Sequence, residues 1–217
     1  MAPFLSAVEQ VEYLLEVTTM QQIFYTSVSP EEYARLGKDF PFPQPISCPN
    51  PGCLVKVPPQ KYGFYQRNAI GANFCGRILI RRYYCKYCRT IISYLPSFCL
   101  PYFQYSVEII FIALWYTLAL HHSFPECLKL LKESFEHLHW GASHLQFYIR
   151  RFLANLNRIK MVLRQLIPRI NLPEDGSDNR KGAQKVLHIV ASGFAQIQTF
   201  STRYFAQCRY SFMAPCT

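Results

Sequence analysis

Cys48-Pro49-Asn50-Pro51-Gly52-Cys53 and, after 31 intervening residues, Cys85-Lys86-Tyr87-Cys88 are the stretches that decide how this chain is read. Cysteine pairs separated by four and by two residues let two tight turns present four thiolates to one tetrahedral Zn²⁺ ion. Thiolates are soft ligands. With no histidine or carboxylate among them, the set Cys48, Cys53, Cys85 and Cys88 points to one closed structural zinc site rather than a catalytic one, which would keep a position for water. Core thiols, a redox pair and an iron–sulfur cluster are the competing readings.

Working outward, residues 54–57, 78–84 and 90–95 are rich in β-branched and aromatic side chains and read as strands around the two turns. So small a sheet needs a metal staple. The module expected is a zinc ribbon over residues 41–104, entered through Phe40-Pro41-Phe42-Pro43-Gln44-Pro45, which cannot be helical. Before it, residues 1–40 read as an acidic helical segment. A capping box at Ser6-Ala7-Val8-Glu9 opens one helix with Val8, Val11, Leu14 and Leu15 on a side, and Ser29-Pro30-Glu31-Glu32 opens a second that Gly37 stops.

Beyond the ribbon, residues 105–168 read as a helix-turn-helix-like domain: one helix over 105–121, a capped one from Ser123-Phe124-Pro125-Glu126, a turn at Trp140-Gly141, and a long helix capped by Ser143. That last helix is expected to run from about His144 to Leu166. A polar linker over 169–184 and an amphipathic helix over 185–217 complete the expectation. The fold class is thus mostly α with a small β zinc ribbon, the ribbon followed by a helix-turn-helix bundle.

Charge sharpens the functional reading. The chain carries a formal charge of +10, and residues 41–107 hold eight basic side chains and no acidic one, a field that attracts nucleic acid. Arg81, Arg82, Lys86 and Arg89, interleaved with Tyr83, Tyr84 and Tyr87, can grip phosphates and stack on bases. In the expected recognition helix, Ser143, His144, Gln146 and Phe147 would face base edges, with Arg150, Arg151, Arg158, Lys160 and Arg164 on phosphates. The competing readings are a solvated strand face and a plain bundle helix. His121, His122, His137 and His139 read as surface histidines.

Other classes are disfavoured. A two-metal strand transferase needs three acidic ligands on a packed fold, and only three aspartates exist: Asp39 ahead of the cysteines, with Asp175 and Asp178 in the linker. There is no phosphate loop, nucleophile elbow or zinc-hydrolase helix, so no enzyme activity is expected. The N-terminus lacks the pattern of a secretory signal, and nine cysteines is an odd number, so a reducing cytoplasmic setting is expected, with Cys75, Cys99, Cys127, Cys208 and Cys216 mostly as buried thiols. The apolar run over 109–120 is too short to span a membrane.

The stretch from Cys48-Pro49 through Arg82-Tyr83-Tyr84-Cys85-Lys86-Tyr87-Cys88-Arg89-Thr90 to Leu95-Pro96-Ser97-Phe98 and Pro101-Tyr102 resembles the transposase-type zinc ribbons of bacterial mobile elements. The likeness is greatest to the branch found beside transposases and integrases, and it covers roughly residues 46–166. It implies a ribbon and helix-turn-helix that recognise DNA while another domain or protein performs strand transfer. The partners expected are double-stranded DNA, a transposase or integrase, and a second copy of the chain. RNA stays open, as does a zinc-ribbon interaction module that assembles a larger complex, or a non-catalytic recombinase subunit.

Overall fold

The computed structural model describes residues 18–172 and 178–215. Strand β1 (Thr18–Phe24) leads to helix α1 (Pro30–Leu36), which Ser29 caps by accepting the Glu32 amide at 3.2 Å. Pro30 stands where its missing N–H costs nothing, and Gly37, at φ +53°, ends the helix. A 3₁₀ turn (Gly37–Asp39) and the proline-rich segment then carry the chain to β2 (Gln60–Ile70), β3 (Cys75–Cys85) and β4 (Thr90–Pro96). Strand order is β1-β4-β3-β2. β2, β3 and β4 are antiparallel, whereas β1 adds to β4 in parallel, from Thr18 opposite Thr90 to Phe24 opposite Pro96.

Two segments depart from the reading of the sequence. Residues 18–24, within the segment expected to be helical, form a sheet strand; Thr18, Thr19 and Ile23 carry the β-branched signal, without the period-2 alternation that reveals a half-buried strand. Residues 54–57 form no strand, and Leu54 is 98% exposed, because the first cysteine turn runs on as loop until Gln60. The helix expected from Ser6 lies outside the described residues.

The faces of β3 pack differently along its length. Ile78 and Ile80 join Tyr33, Phe40, Leu95 and Phe98, while Tyr83 and Cys85 join Ile92 and the other cysteines. Strand alternation accounts for the switch, since odd and even residues point to opposite faces.

The helical body follows: α2 (Val107–Leu114), α3 (Phe124–Ser134), α4 (Ala142–Ala154), α5 (Leu156–Leu166), α6 (Asn179–Gly193) and α7 (Ile197–Cys208). α2 widens into a π-helical turn over Trp115–Ala119, where the Leu120 amide reaches the Trp115 carbonyl and the Thr117 hydroxyl donates to the Ala113 carbonyl. The long helix expected to Leu166 is broken into α4 and α5. Buried Asn155 causes the break: its Nδ2 donates to the Arg151 carbonyl and to the Ala214 carbonyl, both at 2.8 Å, tying the chain's end to the junction. Gly141, rather than Ser143, is the first cap. The expected final helix is also two, because the chain turns at Gly193 and buries Phe194 in an extended conformation. Asp178, within the expected linker, caps α6 through the Arg180 amide.

One apolar cluster unites these helices, running from Leu100 through Ile109, Leu131, Phe152, Leu163, Val186 and Phe200 to Met213. No helix among the described residues is long and apolar enough to cross a membrane.

A four-cysteine centre on a basic sheet edge

The first cysteine turn is shaped by Asn50, whose Oδ1 accepts the Gly52 amide at 3.0 Å and whose carbonyl accepts the Cys53 amide at 3.1 Å. The second is the β3–β4 connection, where Arg89 takes φ +53° so that Cys88 can turn back beside Cys85. Asn50 Nδ2 donates to Thr90 Oγ1 at 2.9 Å, and Thr90 Oγ1 lies 3.2 Å from Cys88 Sγ, so one buried threonine joins the two turns. The sequence reading assigns neither Asn50 nor Thr90 this role. The only signal in the sequence is Thr90 standing two places after the Cys-x-x-Cys pair.

All four sulfurs lie within 4.8 Å of one another, with Cys48 Sγ 3.6 Å from Cys88 Sγ and Cys53 Sγ 3.8 Å from Cys85 Sγ. A tetrahedral ion with metal–sulfur bonds of about 2.3 Å places its sulfurs about 3.8 Å apart, so the residues fit a bound metal ion. Cys48, Cys53 and Cys85 are buried and Cys88 is half-buried. Among the described residues this is the one cluster of three or more such ligands, and His121, His122, His137 and His139 form none.

Burial pushes the Cys48 thiol up to about 12 and raises Cys53 as well. Burial acts the same way on Cys88, but the Thr90 hydroxyl and the neighbouring sulfurs of Cys48, Cys85 and Cys53 outweigh it and bring that thiol down to about 6. Cys88 is therefore the ready thiolate. The raised thiols give up their protons only when a cation supplies compensating charge.

Of the remaining cysteines, Cys99 and Cys127 are buried as expected, whereas Cys75 is exposed and Cys208 half-buried. Cys75 begins β3 at the outer end of the β2–β3 hairpin, away from any core face. Cys216 lies outside the described residues.

The basic residues sort into distinct settings. Lys86, Tyr87 and Arg89 are on the second cysteine turn and all three are exposed, with exposed Lys56 nearby donating to the Asn50 carbonyl at 2.6 Å. A cleft of about 200 Å³ runs between residues 57–60 and 84–87 beside them. Arg81 and Arg82 fall on opposite faces of β3 and stack on rings: Arg81 over Phe64 at 4.5 Å, Arg82 over Tyr62 at 5.2 Å. Tyr83, expected on the open face, is fully buried and donates to the Pro43 carbonyl at 2.7 Å. Tyr84 packs on Tyr62, ring centres 5.6 Å apart.

On α4, Ser143, Gln146 and Arg150 are exposed, and Arg151 lies over Phe147 at 5.2 Å. His144 has a local structural role, since its Nδ1 accepts the Gly141 amide and its ring stacks on Trp140. Arg158 stands on α5, over Tyr210. The α4 helix packs against α2, α3, α5 and α6.

The family model described as Domain of unknown function (DUF6431) matches residues 51–116, which span Cys53, Cys85, Cys88, the β2–β4 sheet and α2. No curated protein and no solved structure matches the chain.

Proposed function

We propose that the four thiolates hold one structural Zn²⁺ and that the module they fold grips double-stranded DNA through the basic edge around the second cysteine turn. The observation that carries this reading is the set Lys56, Lys86, Tyr87 and Arg89 at the surface beside the metal centre, in a segment with no acidic side chain between Asp39 and Glu108. A soft four-sulfur donor set without histidine or carboxylate favours zinc, and leaves no ligand position for a reacting water. The zinc's contribution is to hold the turns; the side chains do the binding.

A second DNA-facing surface in the same reading is the exposed side of α4, with Ser143 and Gln146 toward bases and Arg150 and Arg151 toward phosphates, α3 and α4 acting as a helix-turn-helix. Here residues 135–141 make a longer connection than such motifs ordinarily have, so the zinc module is the primary DNA-binding element. The likeness of the second turn to transposase-type ribbons supports assigning the protein to a mobile element as its DNA-recognition subunit, with strand transfer carried by another chain.

The test is duplex binding by zinc-loaded protein across a salt series. Removing one cation that neutralises a phosphate should flatten the plot of log K against log salt by about 0.9. Lys86→Ala with Arg89→Ala is expected to reduce the slope by about 2 while leaving metal content unchanged; an unaltered slope and affinity overturn the reading.

A protein-interaction module is the second reading, favoured by Ile46 and Leu54, which stand almost fully exposed on either side of the first cysteine turn. It predicts that Leu54→Ser abolishes capture of a defined protein partner and leaves duplex binding intact.

A further inference from the structure

Where the edge strand β1 meets the end of α7, the described residues enclose a cleft of about 550 Å³, large enough for a small organic ligand. Its rim carries Tyr102, Arg158, Arg209 and Tyr210, and Gln21 and Gln22 line its wall. No acidic side chain lines it, and among the described residues neither Arg158 nor Arg209 pairs with a carboxylate. Two guanidiniums without a carboxylate partner among the described residues, in one cleft, favour an anion, and their planar fork suits phosphate oxygens.

Tyr102 is held at a conformational cost. Leu100, Pro101, Tyr102 and Phe103 form a β-turn closed by the Phe103 amide on the Leu100 carbonyl at 3.2 Å, and Tyr102 takes its third position at φ +68°. Turns of that backbone favour glycine there, and a bulky side chain is a conformational outlier. Yet Tyr102 is 85% exposed, so no core packing repays the strain. Arg67 fixes the turn from beneath, its guanidinium donating to the Leu100 and Phe103 carbonyls. Arg209 likewise takes φ +61° beyond α7, and that left-handed cap brings Arg209 and Tyr210 to the rim. Two positive-φ side chains thus border one cleft, where strain held without packing gain marks a binding site.

Tyr210 is 61% exposed, with the Arg158 guanidinium 5.8 Å from its ring centre. Gln22, 9% exposed, accepts Arg209 Nη1 on its Oε1 at 3.3 Å, while its amide nitrogen has no partner among the described residues. An unused amide donor, stacking rings and paired guanidiniums together match the chemistry of a base joined to a phosphate.

We propose that this cleft binds a nucleotide, its base against Tyr102 and Tyr210 and its phosphate between Arg158 and Arg209. The nucleotide is either free or an unpaired residue of a nucleic-acid strand. The site is distinct from the basic edge of the zinc module and does not rest on the duplex-binding reading.

The experiment is calorimetric titration of the full zinc-loaded chain with adenosine 5′-monophosphate, adenosine, inorganic phosphate and a short oligodeoxyadenylate. Saturable binding of the monophosphate, about tenfold or more tighter than adenosine or phosphate alone, is expected for a free nucleotide. Saturation by the oligonucleotide that the monophosphate does not displace assigns the site to a strand. In either case Arg209→Gln and Tyr210→Ala should each weaken binding about tenfold, and Lys86→Ala with Arg89→Ala should leave it unchanged. Tyr102→Gly is the most discriminating variant: relief of the positive φ should hold or raise the melting temperature while binding weakens. The proposal is overturned if neither probe saturates, if phosphate alone competes as well as the monophosphate, if the cleft variants bind like the wild type, or if oligonucleotide binding depends on Lys86 and Arg89 instead.

Discussion

The sheet module and the helical body solve the problem of stability by different means. Around the cysteines the buried set is Tyr83, Ile92 and the thiols themselves, and a second small cluster gathers Tyr33, Phe40, Ile78, Ile80, Leu95 and Phe98. The helices instead share one apolar cluster that extends from Leu100 to Met213. Clusters as small as those on the sheet offset little of the chain entropy lost on folding, and a metal ion held by the four cysteines would supply the crosslink that packing does not. The helical body has enough buried surface to stand without one. The dependence on metal should therefore be local to residues 18–100, and the dependence on packing volume greatest in the helices.

The largest effect expected is at Cys85, which ends β3 among the four sulfurs. Structural thiolate sites contribute on the order of 10 kcal/mol to the domains they fold. Cys85→Ser should abolish stoichiometric metal binding and melt the sheet module, seen as loss of amide protection in β2–β4, while α2–α7 keep theirs. Protection that disappears equally from both regions would show one cooperative unit and dissolve the distinction.

Phe152→Ala is the converse test. Phe152 is buried on α4 in the middle of the helical cluster, and removing its ring should cost about 3–5 kcal/mol. The melting temperature should fall with metal content unchanged; a variant that also failed to hold its metal would show that the helices support the centre.

Legibility divides along the same line. The metal cluster is readable because thiolate spacing is a local code: two turns and four sulfurs suffice, and Cys48, Cys53, Cys85 and Cys88 do converge. The caps Ser29 and Ser123 are readable for the same reason, each satisfying amides within its own first turn. Hidden are the features set by distant partners. β1 is a strand because β4 offers it an edge, and its own residues lack the alternation that advertises a half-buried strand. The break at Asn155 exists because Ala214, 59 residues later, takes one of its amide protons. The inward turn of Tyr83 depends on the Pro43 carbonyl across the module. The expected grouping of Arg81 with Arg82 gives way to strand alternation, which the sequence supplies once the β3 register is known.

The smallest effect expected concerns how firmly the four cysteines would hold a metal ion against protons. Metal and proton compete for each sulfur, so affinity falls as pH falls. Cys48 and Cys53, with raised pKa values, already make the metal compete with protons at neutral pH, and Cys88, brought down to about 6, adds one more competing proton only below that value, so the fall of affinity with pH should steepen below about 6. Thr90 is the local cause that can be altered. Thr90→Val removes the hydroxyl that stabilises the Cys88 thiolate, so its pKa should rise by about one unit for each 1.4 kcal/mol of hydrogen-bond energy removed, and the steepening of the release curve should move to higher pH with it. The same change leaves Asn50 Nδ2 without its acceptor, which costs stability as well. Thr90→Ser keeps the hydroxyl and should restore the wild-type release curve. If the serine variant shifts as far as the valine one, the methyl packing of Thr90 holds the turns together, and the sheet module relies on packing more than its small clusters suggest.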